Sequence, residues 1–201
     1  MIVNVLSIAG SDPSGGAGIQ ADIKAISANG GYAMAAITAL TVQNTQGVRD
    51  VRLVDPAFVA AQVAAVFDDI RVDAVKIGML GTAEITAAVA GVLSGRGVPV
   101  VLDPVMVAKG GDRLLAADAV AALRTHLLPL CEVLTPNLPE AADLLGEAMA
   151  ADRDGMEDQA RRLLTLGPRA VLLKGGHMLG LDSPDLLASV QGMRWIEGAR
   201  V

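Results

Sequence analysis

The side chains of this chain best suited to chemistry stand in short polar segments that interrupt apolar runs. Gln43, in Gln43-Asn44-Thr45, carries a primary amide, which offers a hydrogen-bond donor and an acceptor side by side. That pair matches the ring nitrogen and exocyclic amine of an aminopyrimidine, although Gln and Asn are also ordinary turn residues. Lys174, in Lys174-Gly175-Gly176-His177, ends an apolar run over 171–173. An ammonium there suits a phosphate as a point charge, or simply reaches solvent on its long stem. Asp103 ends the apolar run 100–102 and either faces a cleft as an acid or caps its loop. In Asn137-Leu138-Pro139-Glu140 the Asn and Glu have the spacing of a capping box. The same two side chains could also orient a Mg²⁺ through water, because that ion takes oxygen ligands and keeps several waters.

The segment 10–18 holds glycines at 10, 15, 16 and 18. Glycines let backbone approach a ligand closely, and a helix start offers unpaired N–H groups. The segment is neither a Gly-Lys-Ser/Thr phosphate loop nor a G-x-G-x-x-G fingerprint, and a tight strand-to-helix connection explains it equally well. Asp12 and Asp22 add polar groups nearby, and Asp22 also suits a solvated helix face. Lys109 stands in the Gly-rich loop 103–113. Cys131 lies in or beside an apolar stretch and reads as packing.

Strands and helices must alternate to bring these segments together. Residues 2–9 form a near-continuous apolar run, and a helix is expected from about 17. The stretch 33–42 is β-compatible in its last half, and 51–54 suits a short extra strand. From Pro56, Val59, Val63, Phe67 and Ile70 recur at helical spacing. A strand is expected at 73–77, a helix through Ile85, Val89 and Val92, and a strand at 99–102. Beyond the 103–113 loop come a helix to His126, a strand at 131–135, helices at 137–145 and 159–166, and a strand at 170–174. Residues 186–190 and 193–196 suit a hairpin. This order predicts one domain over 1–201, a parallel sheet with helices on both faces, and ligands at the carboxyl ends of the strands.

Composition fits that picture and excludes others. Hydrophobic residues make up 52% of the chain and aromatics only 2%, so Ala, Val, Ile and Leu must fill the core. The formal net charge of −6 argues against a nucleic-acid surface. No apolar stretch reaches the roughly 18–20 residues that a spanning helix needs. The N-terminus lacks the pattern of a secretion signal, so the cytoplasm is expected. A single cysteine rules out an intrachain disulfide and a cysteine zinc cluster, and His126 and His177 are far apart.

Six stretches taken together, at 9–22, 38–45, 76–80, 102–106, 135–141 and 173–177, resemble the hydroxymethylpyrimidine/phosphomethylpyrimidine kinases of thiamine biosynthesis. They stand in the family's order and span nearly the whole chain. The resemblance implies a ribokinase-like α/β three-layer sandwich with a mostly parallel central sheet. It implies ATP-dependent phosphorylation of 4-amino-5-hydroxymethyl-2-methylpyrimidine and then of its monophosphate, with ATP and Mg²⁺ as cofactors. Gln43 would read the pyrimidine, with Gly10, Asp22, Met79 and Val105 around the ring. Asp103, Asn137 and Glu140 would lie on the phosphate side, with Asp103 and Glu140 holding Mg²⁺ directly or through water. Lys174 would meet the ATP phosphates, and Asp103 and Lys174 would serve catalysis. Partners would be the small-molecule substrate and a second copy in a homodimer, with no nucleic acid and no membrane.

One departure stands out. The family's Gly-Thr-Gly-Cys-Thr-type loop supplies an anion hole and a presumed catalytic-base cysteine, and it does not occur in residues 1–201. Cys131 precedes the Thr-Pro-Asn-Leu-Pro-Glu segment and cannot replace it. The expectation is a kinase domain without its C-terminal part, and a protein ending there should bind pyrimidine weakly and phosphorylate it poorly. The competing readings are a pyridoxal kinase of the same superfamily, a non-catalytic pyrimidine-binding module, and a dinucleotide-dependent oxidoreductase, which lacks its glycine fingerprint.

Overall fold

The computed structural model describes residues 2–106, 117–178, 180 and 182–200. Lys109 and most of its loop lie outside them.

Short apolar runs rich in Val, Ile and Leu pair edge to edge into one eight-stranded sheet, in the order β10-β9-β8-β7-β6-β5-β1-β2. The strands are β1 (Asn4–Ala9), β2 (Tyr32–Ile37), β5 (Ala74–Ile77), β6 (Val100–Leu102), β7 (Val133–Leu134), β8 (Ala170–Leu173), β9 (Asp185–Ser189) and β10 (Gly192–Ile196). From β2 to β8 every pairing is parallel, and β9 runs antiparallel to both β8 and β10. The expected hairpin is therefore present, and it extends the sheet. After β2 the chain returns to the other side of β1 and adds β5, β6, β7 and β8 outward. The strand order thus reverses between β1 and β5, the place where open α/β sheets open a ligand crevice.

A separate ribbon, β3 (Ala39–Asn44) and β4 (Gly47–Leu53), stands off the main sheet. The stretch expected to be β only in its last half is extended throughout. It divides at Thr38, whose buried hydroxyl donates to the Met79 carbonyl at 2.7 Å. That bond belongs to the tertiary structure, so local sequence does not announce the break. β4 is longer than expected for the same reason: β3 gives it a partner back to Gly47.

The helices are α1 (Gly18–Ala28), α2 (Pro56–Asp69), α3 (Ala83–Leu93), α4 (Ala117–Ala122), α5 (Leu138–Leu145) and α6 (Arg153–Leu164). α4 runs on into a π-helical turn and a 3-10 turn ending at Leu130. Asp55 caps α2 by accepting from the Ala57 and Phe58 amides, with Pro56 in the first turn, where no partner for its nitrogen is needed. α6 starts at Arg153 rather than Gln159. Its polar first turn hides the helical period, but Asp152 caps it and Met156 is buried.

α2, α3 and α4 pack side by side, α1 lies on β1 and β2, and α6 covers β8 and β9. Leu6, Ile8, Ile77, Leu102, Leu134, Leu138 and Leu173 are fully buried at the centre of one continuous apolar cluster. Among the described residues no helix is long and apolar enough to cross a membrane.

Candidate active site

The carboxyl ends of β1 and β5 form one end of the crevice. Gly10 follows β1, and Gly78-Met79 follow β5, with the Gly78 amide donating to the Ile8 carbonyl at 2.9 Å. A Cβ on Gly10 would stand 2.7 Å from Met79 Cε, so glycine here is what lets Met79 lie against the first loop. The ribbon is fastened to the same loop. The Ser11 amide donates to the Ala39 carbonyl at 2.8 Å, and Thr41 Oγ1 donates to the Ser11 carbonyl at 2.8 Å.

Gln43 stands half-buried near the end of β3, where the pairing register slips between Val42 and Gln43. Its Oε1 accepts a long bond from Thr41 Oγ1 at 3.3 Å. Among the described residues its amide nitrogen has no partner. Thr41 thus links the side chain of Gln43 to the first loop.

Asp22 is not on a solvated helix face. From the second turn of α1 its Oδ2 accepts from Ser7 Oγ at 2.6 Å and from Lys76 Nζ at 2.9 Å. Lys76 comes from the middle of β5. Its only local signal is a charged residue inside a four-residue apolar strand.

The glycine-rich loop satisfies itself. Asp12 is 3% exposed, and its carboxylate accepts from the Ser14 amide and hydroxyl, the Gly16 amide at 3.0 Å and the Ala17 amide at 2.8 Å. Burial pushes its pKa up, but the bonds from Ser14, Ala17 and Gly16 outweigh that and hold it below the usual carboxylate value. The backbone N–H groups of residues 14–17, which lead into α1, are therefore already taken within the loop.

The other end of the crevice is built by β6, β7 and β8. The Asp103 amide donates to the Ile77 carbonyl at 2.9 Å, which joins this end to the first. Asp103 Oδ1 accepts from Lys174 Nζ at 2.9 Å, with Thr135 Oγ1 at 3.4 Å. The two charged side chains are 30% and 37% exposed, so the pair lies outside the core. The Lys174 amide donates to the Pro136 carbonyl at 2.8 Å, and Lys174 and Asn137 form an isolated parallel bridge.

Asn137 and Glu140 complete the capping box. The Glu140 amide donates to Asn137 Oδ1 at 2.9 Å and the Asn137 amide donates to Glu140 Oε2 at 2.8 Å. Glu140 is 6% exposed. Burial pushes its pKa up, against the Asn137 amide and the Lys174 charge; the Asp103 charge raises it further, and the Met106 amide opposes. Asp103, Asn137, Glu140 and Lys174 are thus one electrostatic unit. Val105 is half-buried beside it, its amide donating to the Asp103 carbonyl at 2.8 Å.

Cys131 is packing. Burial pushes its thiol up to about 12, and it donates to the Leu127 carbonyl at 3.2 Å. Among the described residues no three His, Cys, Asp or Glu side chains gather as a metal cluster.

Comparison with known proteins gives a consistent result. A family model described as phosphomethylpyrimidine kinase matches residues 12–201. The hydroxymethylpyrimidine/phosphomethylpyrimidine kinase of Escherichia coli (strain K12) is 51% identical over 200 residues, which is 99% of this chain and 75% of that protein. The enzyme of the same description from Rhizobium meliloti (strain 1021) is 53% identical over 186 residues, 92% of this chain and 70% of that one. Among solved structures, phosphomethylpyrimidine kinase from Clostridium difficile 630 superposes with a TM-score of 0.90 at 42% identity, covering 98% of this chain and 84% of its own. Bacillus subtilis pyridoxal kinase, solved as an ADP complex, gives 0.89 at 34% identity over 100% of this chain and 76% of its own.

Proposed function

The chain belongs to the phosphomethylpyrimidine kinase family, and from that premise we propose how its crevice divides between pyrimidine and phosphates. The activity is ATP-dependent phosphorylation of 4-amino-5-hydroxymethyl-2-methylpyrimidine, followed by phosphorylation of the monophosphate. The ring lies at the end where the strand order reverses. There the Gln43 amide reads it, Gly10, Met79 and Val105 wall it, and Asp22 offers a carboxylate. The ATP phosphates lie at the far end, with Lys174 as their cation. The observation that carries this division is the half-buried Asp103–Lys174 pair at 2.9 Å beside the buried Glu140, while the first loop's amides are taken by Asp12. Phosphoryl transfer is mostly positioning and charge neutralisation, and this arrangement supports both.

The donor set suits Mg²⁺, which is bound through one or two carboxylates and the substrate phosphates. Lys174 and Thr135 meet only Oδ1 of Asp103, and among the described residues Oδ2 accepts no hydrogen bond. Asp103 would hold the ion, with Glu140 reaching it through water because backbone amides already occupy its carboxylate. Bound there, Mg²⁺ supplies charge neutralisation at the phosphates.

Residues 1–201 act as one domain, a reading supported by the single sheet that runs from β2 to β10. The ribbon supports a homodimer: Leu40, Val42 and Leu53, with Phe58 at the start of α2, are each about half exposed or more. A biosynthetic enzyme drawing on ATP belongs in the cytoplasm.

Calorimetric titration of the chain with hydroxymethylpyrimidine and with pyridoxal tests the reading. Saturable binding that prefers hydroxymethylpyrimidine is expected. No binding, or a preference for pyridoxal, would sink it.

A further inference from the structure

We propose that Lys76 and Ser7 are positioning residues for Asp22, holding its carboxylate by one oxygen so that the other is presented to an N–H donor of the bound pyrimidine. This rests on the placement of the ring at the end of the crevice where the strand order reverses.

The arrangement starts in the sheet. β1 and β5 are parallel neighbours, and in their register Ser7 is the partner of Lys76. Partners across a ladder project to the same face, so both side chains rise together toward α1. They converge on one atom: Ser7 Oγ stands 2.6 Å and Lys76 Nζ 2.9 Å from Asp22 Oδ2. Among the described residues, Asp22 Oδ1 accepts no hydrogen bond. Two donors on one oxygen and none on the other is an odd result for a purely structural tie, in which an ammonium and a hydroxyl are free to divide between both oxygens.

A structural tie is also poorly served by this chemistry. The side chains of Lys76 and Asp22 are only 27% and 17% exposed. Desolvating an ion pair to that degree costs much of what the attraction returns, and apolar packing between α1 and β5 would stabilise the fold as well or better. The location supplies the reason for charge. Lys76 Nζ stands 3.0 Å from where a Cβ of Gly78 would be, and that same Cβ would be 3.0 Å from the Ala9 methyl. The ammonium therefore lies at the end of β5, against the residues that close the crevice next to Gly10 and Met79. An ionised carboxylate fixed at that point accepts from an exocyclic amine, and a charge-assisted bond of this kind is about twice as strong as a neutral one.

The test measures dissociation constants for hydroxymethylpyrimidine in the wild-type chain, Lys76→Met, Asp22→Asn and the double variant. Binding of a non-hydrolysable ATP analogue with Mg²⁺ and thermal melting are followed in parallel. Lys76→Met should weaken pyrimidine binding roughly 10-fold, the scale of a lost hydrogen bond to a charged group. It should leave the ATP-analogue affinity unchanged, and Lys76→Arg should recover part of the loss. In the Asp22→Asn background the Lys76→Met change should add nothing further. Unchanged pyrimidine affinity, equal weakening of both ligands, or additive losses in the double variant would each overturn the proposal. If Lys76→Met does not fold, Ser7→Ala, which removes one hydroxyl, carries the same expectations with a smaller loss. A wild-type chain that does not bind pyrimidine removes the ring placement and this inference together. Wild-type binding with an indifferent Lys76→Met removes this inference alone.

Discussion

At the scale of single residues, the buried carboxylates do different work. Asp12 ties its own loop together, and its folded pKa is held below the unfolded value near 3.9. A lowered carboxylate pKa contributes stability that is present above the unfolded value and is lost as pH falls through the folded one. Asp12→Asn should therefore cost about 1 kcal/mol at pH 7, the scale of a lost hydrogen bond. The gap to wild type should narrow below about pH 4. Denaturant melts at pH 7 and at pH 3 check this, and a constant gap would show that ionisation is irrelevant. Gln43, Asp103 and Lys174 were legible in the sequence because each is a polar group at the end of an apolar run. Lys76 and Thr38 were not, since their importance lies in partners 54 and 41 residues away. Asp12 was visible, but nothing in the chain announces that it would claim the amides of its own loop.

At the scale of elements, the strand–helix alternation was readable wherever a helix had a clear apolar stripe or a strand a compact apolar run. Two kinds of place lack that signal. α6 begins in a polar turn whose helical character comes from the Asp152 cap rather than from periodicity. The β2–β3 division depends on a bond from Thr38 to Met79, a contact between distant loops. The Lys174 loop shows the same dependence on distant backbone. Gly175 donates its amide to Asp185 Oδ1 at 2.9 Å, and any Cβ on it would run into the Pro184 carbonyl. Gly175→Ala should thus push β8 and β9 apart at the point that sets Lys174. A loss of roughly 1–3 kcal/mol, typical of forced overpacking, is expected in urea denaturation. The same variant should weaken binding of the ATP analogue more than binding of the pyrimidine. A neutral effect on stability would mean that the turn relaxes without cost.

At the scale of the whole molecule, the exposed ribbon is the feature that bears on the proposed homodimer. Leu40 and Val42 on β3 are 54% and 56% exposed, and the β3–β4 pair joins no third strand among the described residues. Two-stranded ribbons with apolar faces are marginal by themselves and invite a partner. Val42→Asp should convert a dimer to a monomer in sedimentation velocity while leaving the melting temperature of the main sheet within a few degrees. A wild-type chain that sediments as a monomer at micromolar concentration would remove the dimer. The self-capped first loop has a consequence on this scale as well. Asp12 holds the amides of Gly16 and Ala17, just ahead of α1, before any ligand arrives. Lys174 is already balanced by Asp103 with Glu140 alongside, so both ends of the crevice arrive with their own counter-charges in place. A phosphate that enters such a site must displace or share an existing partner, so a bound cation that takes over the carboxylates would free the lysine for it.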